Sequence, residues 1–347
     1  MNSRGILIAL ASAVLFGVST PFAKLLLDTV DPWMLAGLLY LGAGIGLGVL
    51  RAGQAAIGKA KGETPLTRTD LPWLALVVLS GGIAGPVFLM FGLVRTDAAS
   101  ASLLLNLEGL ATMLIAWLAF RENVDRRLLV GAMAILAGAV FLSWQGEATL
   151  NIGAGLIAMA CLCWGIDNNL TRKLSGSDPL QIAMIKGLGA GAVNLTIAIS
   201  QGSDWPATST ILISGLIGFL GYGVSLALFI VALRHLGAAR AGAYFSLSPF
   251  VGAALAVVLL SDPLTAQLAL GGCLMAIGLW LHLTERHAHD HTHRPMDHDH
   301  RHDHDDHHQH DHPPGTVTTA AHAHPHHHGV LTHLHAHFPD LHHRHEH

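Results

Sequence analysis

The chain has 347 residues, of which 51% are hydrophobic and only 12% charged, with a formal net charge of −4. Such a composition excludes an ordinary soluble domain, makes the lipid bilayer the expected solvent, and indicates no nucleic-acid partner. The charge is unevenly divided: residues 1–286 carry 16 Lys and Arg against 14 Asp and Glu, whereas residues 287–347 carry 3 against 9.

In chain order, the opening stretch at 6–27 imitates a secretory signal, but it lacks a small-residue cleavage site and resembles a later span. It is read as a retained first helix. A helix crosses the hydrocarbon layer with about 20 residues at roughly 1.5 Å per residue. Segments of this kind are expected at about 6–27, 34–50, 71–93, 98–119, 127–144, 152–171, 180–199, 211–233, 239–260 and 266–284. Small residues are dense in nearly all of them and allow close helix packing. Pro86 and Pro249 lie within or near spans, where the backbone groups they free need other partners. Asp-Pro at 31–32, 178–179 and 262–263 fits helix starts, because Asp caps exposed amides and Pro needs no amide partner. Cys161, Cys163 and Cys273 all sit in apolar runs, so neither a disulfide framework nor a Cys-rich zinc site is indicated.

Orientation follows from the loop cations. With the N-terminus in the cytoplasm, Arg4, Arg51, Lys59, Lys61, Arg68, Arg121, Arg126, Arg127, Arg172, Lys173, Arg234, Arg240 and Arg286 fall inside, and Arg95 is the one loop cation left outside. Both termini of a ten-span chain are then cytoplasmic, in a bacterial-type inner membrane.

The pattern repeats itself. Phe16-Gly17-Val18 returns as Trp164-Gly165-Ile166, and Asp31-Pro32 followed by Leu41-Gly42-Ala43-Gly44 returns as Asp178-Pro179 followed by Leu188-Gly189-Ala190-Gly191. Asp97-Ala98-Ala99 corresponds to Gly237-Ala238-Ala239, and Arg121-Glu122 to Ser261-Asp262. Five spans per repeat is an odd number, so the second half is expected to run inverted relative to the first. Domains follow at 1–146 and 147–286, with a polar tail at 287–347. These motifs resemble the EamA-type transporters of the drug/metabolite transporter superfamily, on the stretches 15–22 and 163–170, and on Leu107-Glu108-Gly109 against Leu247-Ser248-Pro249. The resemblance implies an all-α membrane protein of ten transmembrane helices in two inverted five-helix repeats. Gly109 stands where the family has Pro, and Asp262 where it has Glu.

Several polar residues lie inside the expected spans, where charge is costly unless paired or facing an aqueous cavity. Lys186 is the foremost candidate for substrate attraction or gating, because similar transporters carry a cation near this place; a structural ion pair is the rival reading. Glu108, beside Asn106, either pairs with Lys186, binds a cation or exchanges a proton. Asp167, Asn168 and Asn169 form a polar break opposite Ser19, Thr20 and Pro21, offering hydrogen bonds to cargo or to neighbouring helices. Trp164, Tyr222, Tyr244 and Lys24 are weaker candidates, with packing or snorkelling as the alternative.

The tail holds 24 of the 26 histidines. With few apolar residues it is expected to be disordered without a ligand. His287, His289, His291, His298, His300, His302, His304, His307, His308, His310 and His312 offer imidazoles for Zn, Ni, Co or Cu, although no cofactor is required. No catalytic triad stands out, and no Gly-rich phosphate loop precedes Lys-Ser or Lys-Thr, so neither an enzyme nor an ATP-driven pump is indicated. Secondary transport of small polar or amphipathic metabolites is the leading expectation. A divalent metal exporter fed by the tail is the alternative, and a nontransport metal sensor the third reading. Composition leaves oligomeric state open.

Overall fold

The computed structural model describes residues 3–56, 66–120, 126–144, 151–171, 174, 177–236, 242, 244–284 and the segments 288–293, 296–302, 322–328 and 331–336. The first half runs through α1 (Ser3–Leu26), α2 (Pro32–Ala56), α3 (Leu71–Val77, Val78–Ala84 and Gly85–Val94, without a break), α4 (Ala98–Leu104), α5 (Leu107–Phe120) and α6 (Arg126–Ser143). The second runs through α7 (Ile152–Thr171), α8 (Pro179–Ser200), α9 (Thr208–Gly218, Phe219–Val224 and Ser225–Leu236), α10 (Ser248–Leu259) and α11 (Ala266–Leu283).

Among the described residues, eight helices are long and apolar enough to cross a membrane. The two further expected spans differ for local reasons. Helix α7 has 20 residues, but its end carries Asp167-Asn168-Asn169. Helix α10 keeps only 12 residues, because the chain turns at Ser246 and Leu247 and Pro249 restarts the helix in its first turn, where a missing amide costs nothing. The expected fourth span is likewise interrupted, at Leu105 and Asn106. The second is longer than expected, at 25 residues.

Two of the three Asp-Pro steps start helices as expected. Asp31 Oδ1 accepts from the Trp33 amide at 2.9 Å and the Met34 amide at 3.2 Å; Asp178 Oδ1 accepts from Leu180 at 2.9 Å and Gln181 at 3.2 Å. The third does not. Thr265 caps α11 instead, through a 3.0 Å bond from the Leu268 amide. Ser261 sits at φ 57°, in the left-handed region, and in the turn that follows Asp262 Oδ2 accepts from the Ala99 amide of α4 at 2.9 Å.

The halves interlock rather than sit side by side. Helix α1 packs on α9 and α10, and its counterpart α7 packs on α3 and α5; α2 packs on α8, and α6 on α11. Each contact is mapped onto another, or onto itself, when the repeats are exchanged. Both third helices also widen into a π-helical turn, at Val78–Ala84 and Phe219–Val224. The α2–α8 seam is close because it lacks side chains. A Cβ on Gly187 would lie 2.6 Å from the Gly44 nitrogen, and one on Gly191 2.6 Å from the Leu41 nitrogen. The largest wholly buried side chains, including Met34, Leu35, Leu39, Met90 and Leu93, fill the layer beside this seam.

In the tail, β1 (Ala288–His293) pairs antiparallel with β4 (Leu331–Ala336), and β2 (Met296–His302) with β3 (His322–His328). Strands therefore stand in these stretches where composition alone predicts disorder. A polar sequence that alternates every second residue still carries the strand period, which a reading based on apolar content overlooks.

Candidate functional site

The polar centre is organised by a proline. The Gly85 amide reaches back to the Ser80 carbonyl, the same widened step that Ser225 makes to Leu220 in α9 without a proline; in α3 Pro86 then has no amide to offer, and the Gly81 carbonyl is left without a backbone donor from it. Two side chains from other helices take it: Tyr40 Oη of α2 donates at 2.8 Å and Trp164 Nε1 of α7 at 3.0 Å. Asn194 Nδ2 of α8 donates to the neighbouring Gly82 carbonyl at 3.3 Å. These are the compensating partners that a membrane-embedded proline requires.

The same turn makes room for charge. A Cβ on Gly81 would collide with the Asp167 carboxylate, and one on Gly82 would lie 3.5 Å from Lys186 Cγ. Across this bare surface of α3, Lys186 Nζ of α8 donates to Asp167 Oδ2 of α7. Their side chains are 17% and 6% exposed, so the pair is largely out of solvent. Thr171 Oγ1 donates to the other Asp167 oxygen at 3.2 Å. Of the three readings open for Glu108, pairing with Lys186 is not the one the geometry makes: the acid that reaches the ammonium is Asp167, across the space that the two glycines leave between α7 and α8.

Glu108 belongs to an adjoining network. Asn168 Nδ2 donates to Glu108 Oε1 at 3.0 Å and to Thr112 Oγ1 at 3.2 Å, linking α7 to α5. Asn169 Nδ2 ties the same helices through the Thr112 carbonyl at 3.0 Å and the Gly165 carbonyl at 2.8 Å. Asn168 is exposed and Glu108 half-buried, so this network opens toward the surroundings more than the ion pair does.

An aromatic run leads away from the charges. The Tyr40 and Tyr222 ring centroids are 5.5 Å apart, Tyr222 and Phe16 5.7 Å, Phe16 and Phe245 5.2 Å, and Phe245 and Phe229 4.8 Å. The repeat matches Ser19 to Asp167 and Leu39 to Lys186, so the two widened turns have different surroundings: charge around α3, aromatic rings around α9.

Of the expected site residues, Lys186, Asp167, Trp164, Glu108 and Asn168 meet around α3 and α7, and Tyr222 joins them through Tyr40. Asn106 stands apart: its amide donates to the Leu103 carbonyl at 2.8 Å and lies 3.9 Å from Met275 Sδ of α11. Tyr244 is away from the charges, at the far end of the aromatic run, packed with Phe229 against Ala9 and Ala232. Ser19 donates to Phe16 in its own helix at 2.6 Å, and Lys24 to the Leu93 carbonyl at the end of α3. Tyr40, Asn194 and Thr112 were missed; Pro86 signalled that donors such as the first two were required, whereas nothing in the sequence singled out Thr112.

Among residues with described side chains, no group of three or more His, Cys, Asp and Glu is placed to hold a metal. Of the expected metal ligands, His289, His291, His298, His300 and His302 fall on β1 and β2. His287, His304, His307, His308, His310 and His312 lie outside the described residues.

The model of the EamA-like transporter family matches residues 3–144 and again 151–284. An uncharacterized transporter of Methanothermobacter thermautotrophicus is 28% identical over 292 residues, covering 80% of this chain and 85% of that protein. A probable amino-acid metabolite efflux pump of Salmonella typhimurium is 27% identical over 306 residues, covering 82% and 96%. A solved crystal structure superposes with a TM-score of 0.60 at 19% identity, covering 81% of this chain and 98% of that one, a likeness of fold.

Proposed function

Because the chain belongs to the EamA-like transporter family and is a secondary transporter of small molecules, we propose that it exports small polar or amphipathic metabolites carrying both a charged head and an apolar part. The observation that carries this reading is the Lys186–Asp167 pair set between the Glu108–Asn168 network and the aromatic run from Tyr40 to Phe245. A cargo carboxylate competes with Asp167 for Lys186, an amine is drawn to the acids, and the apolar part lies against the rings. Cargo that opens the ion pair favours the conformation in which the pair is open, which couples binding to movement. An amino-acid-like cargo fits this chemistry and agrees with the name of the Salmonella relative.

In this reading ten crossings place both termini in the cytoplasm of a bacterial-type inner membrane, and the interlocked halves expose the site to either side in turn. A second reading, export of a divalent metal with the tail collecting cargo, is favoured by the concentration of histidine after residue 286. Purified protein in liposomes, given an amino-acid panel and Zn, Ni and Co separately, distinguishes them. Amino-acid flux lost in Lys186→Ala supports the first. Metal flux that persists in Lys186→Ala and disappears when the chain ends at Arg286 supports the second and overturns the first.

A further inference from the structure

The strand register in the tail sets histidine opposite histidine. In the β2–β3 ladder His298 is paired with His326, His300 with His324 and His302 with His322; in the β1–β4 ladder His289 is paired with His335 and His291 with His333. Alternate residues of a strand share a face. Met296, His298, His300 and His302 therefore lie on one face together with His328, His326, His324 and His322, while Asp297, Asp299 and Arg301 share the other with His327, Pro325 and Ala323. Five of the six positions on one face of the β1–β4 ladder are likewise histidine, the sixth being Leu331.

We propose that these ladders are binding sites for a late first-row divalent cation, assembled from histidines at least twenty residues apart in the chain. Directly opposed residues have α-carbons roughly 4.5 to 5.5 Å apart, and alternate residues on one strand stand about 6.6 Å apart. A two-by-two block such as His298, His300, His324 and His326 thus brings four histidine positions together on one face, the number of ligands that one tetrahedral ion takes. Imidazole suits Zn, Cu and Ni.

The metal also accounts for strands in a segment without an apolar core. An isolated two-stranded ladder is marginal in water, and ligation stabilises it by as much as the paired form binds the ion more tightly than the unpaired tail does. Pro325 is compatible with this arrangement, since in a two-stranded ladder each strand is an edge and the missing amide can face solvent. The site joins both ends of the tail, whereas a string of independent His-Asp segments binds each ion locally. It does not rest on the transport reading, and its readout is independent of flux.

The test is hydrogen exchange on the full chain in nanodiscs, with and without Zn²⁺. At free zinc about 100 times its dissociation constant, exchange across 288–302 and 322–336 is expected to slow by up to about 100-fold, the full factor requiring that the unpaired tail bind no zinc. The variant H298N/H300N/H302N leaves every histidine of β3 in place, yet is expected to abolish zinc protection of 322–328. The control D297N/D299N/H327N, on the opposite face, is expected to retain it within about two-fold. Unchanged zinc protection of 322–328 in the first variant, equal loss in the control, or absence of protection in the wild type overturns the proposal.

Discussion

Lys186 and Asp167 are 19 residues apart in sequence and form an ion pair between α8 and α7, across a strip of α3 kept bare by Gly81 and Gly82. Both side chains are largely buried, so removing one partner leaves the other charge uncompensated. Lys186→Ala is expected to cost about 3 to 5 kcal/mol. The double variant Lys186→Met with Asp167→Leu is expected to recover most of that loss while remaining inactive. Thermal unfolding in detergent, followed by flux in liposomes, checks both halves of this expectation.

The Gly81 carbonyl has two donors from two helices, Tyr40 and Trp164. Loss of either hydrogen bond alone leaves the oxygen satisfied and is expected to cost about 1 kcal/mol through that bond. Loss of both orphans a carbonyl that Pro86 already deprives of an amide, so Tyr40→Phe and Trp164→Phe are expected to be more than additive, by about 1 to 3 kcal/mol. A double-mutant cycle on unfolding midpoints measures the excess; additivity contradicts the account of the widened turn.

Asp178 caps α8 and also pairs with Arg51 of α2 across the repeats. The cap is the larger contribution, because Arg51 is 37% exposed and solvent screens the pair. Asp178→Ala is expected to lower stability by about 1 to 2 kcal/mol and Arg51→Ala by less than about 1 kcal/mol. Reversed magnitudes in urea or thermal unfolding contradict this ranking.

Gly187 and Gly44 bring α8 and α2 into backbone contact, whereas Gly109 and Gly155 have nothing within 4 Å of an added Cβ. Gly187→Leu is expected to abolish the folded monodisperse species in size-exclusion chromatography. Gly109→Ala and Gly155→Ala are expected to leave its yield within about two-fold, as surface changes away from special features do.

Much of the fold was legible because it depends on period and repetition: apolar runs of bilayer length, and motifs that return half a chain later. Asp31 and Asp178 start helices as their Asp-Pro steps predict, because a cap is a local interaction. Asp262 shows where locality fails. The acid of the same dipeptide, preceded by a residue in left-handed conformation, accepts instead from the Ala99 amide in the first turn of α4 of the other repeat, beside that helix's own cap Asp97. The partner of Lys186 was also beyond sequence, since its choice of Asp167 over Glu108 depends on the bare surface of a third helix. Tyr40 on an apolar helix gives no polar signal by itself; only Pro86, which demands donors for the turn before it, points to such a residue.

The central claim is that the surroundings of the Lys186–Asp167 pair become accessible from each side of the membrane in turn. Asn168, exposed beside Glu108, is the position from which to test it. In a background with Cys161, Cys163 and Cys273 replaced by Ala, Asn168→Cys is treated with a membrane-impermeant thiol reagent from one side or the other of oriented vesicles. The account predicts modification from both sides, slowed on both by a transported amino acid. Modification confined to one side under every cargo condition contradicts it.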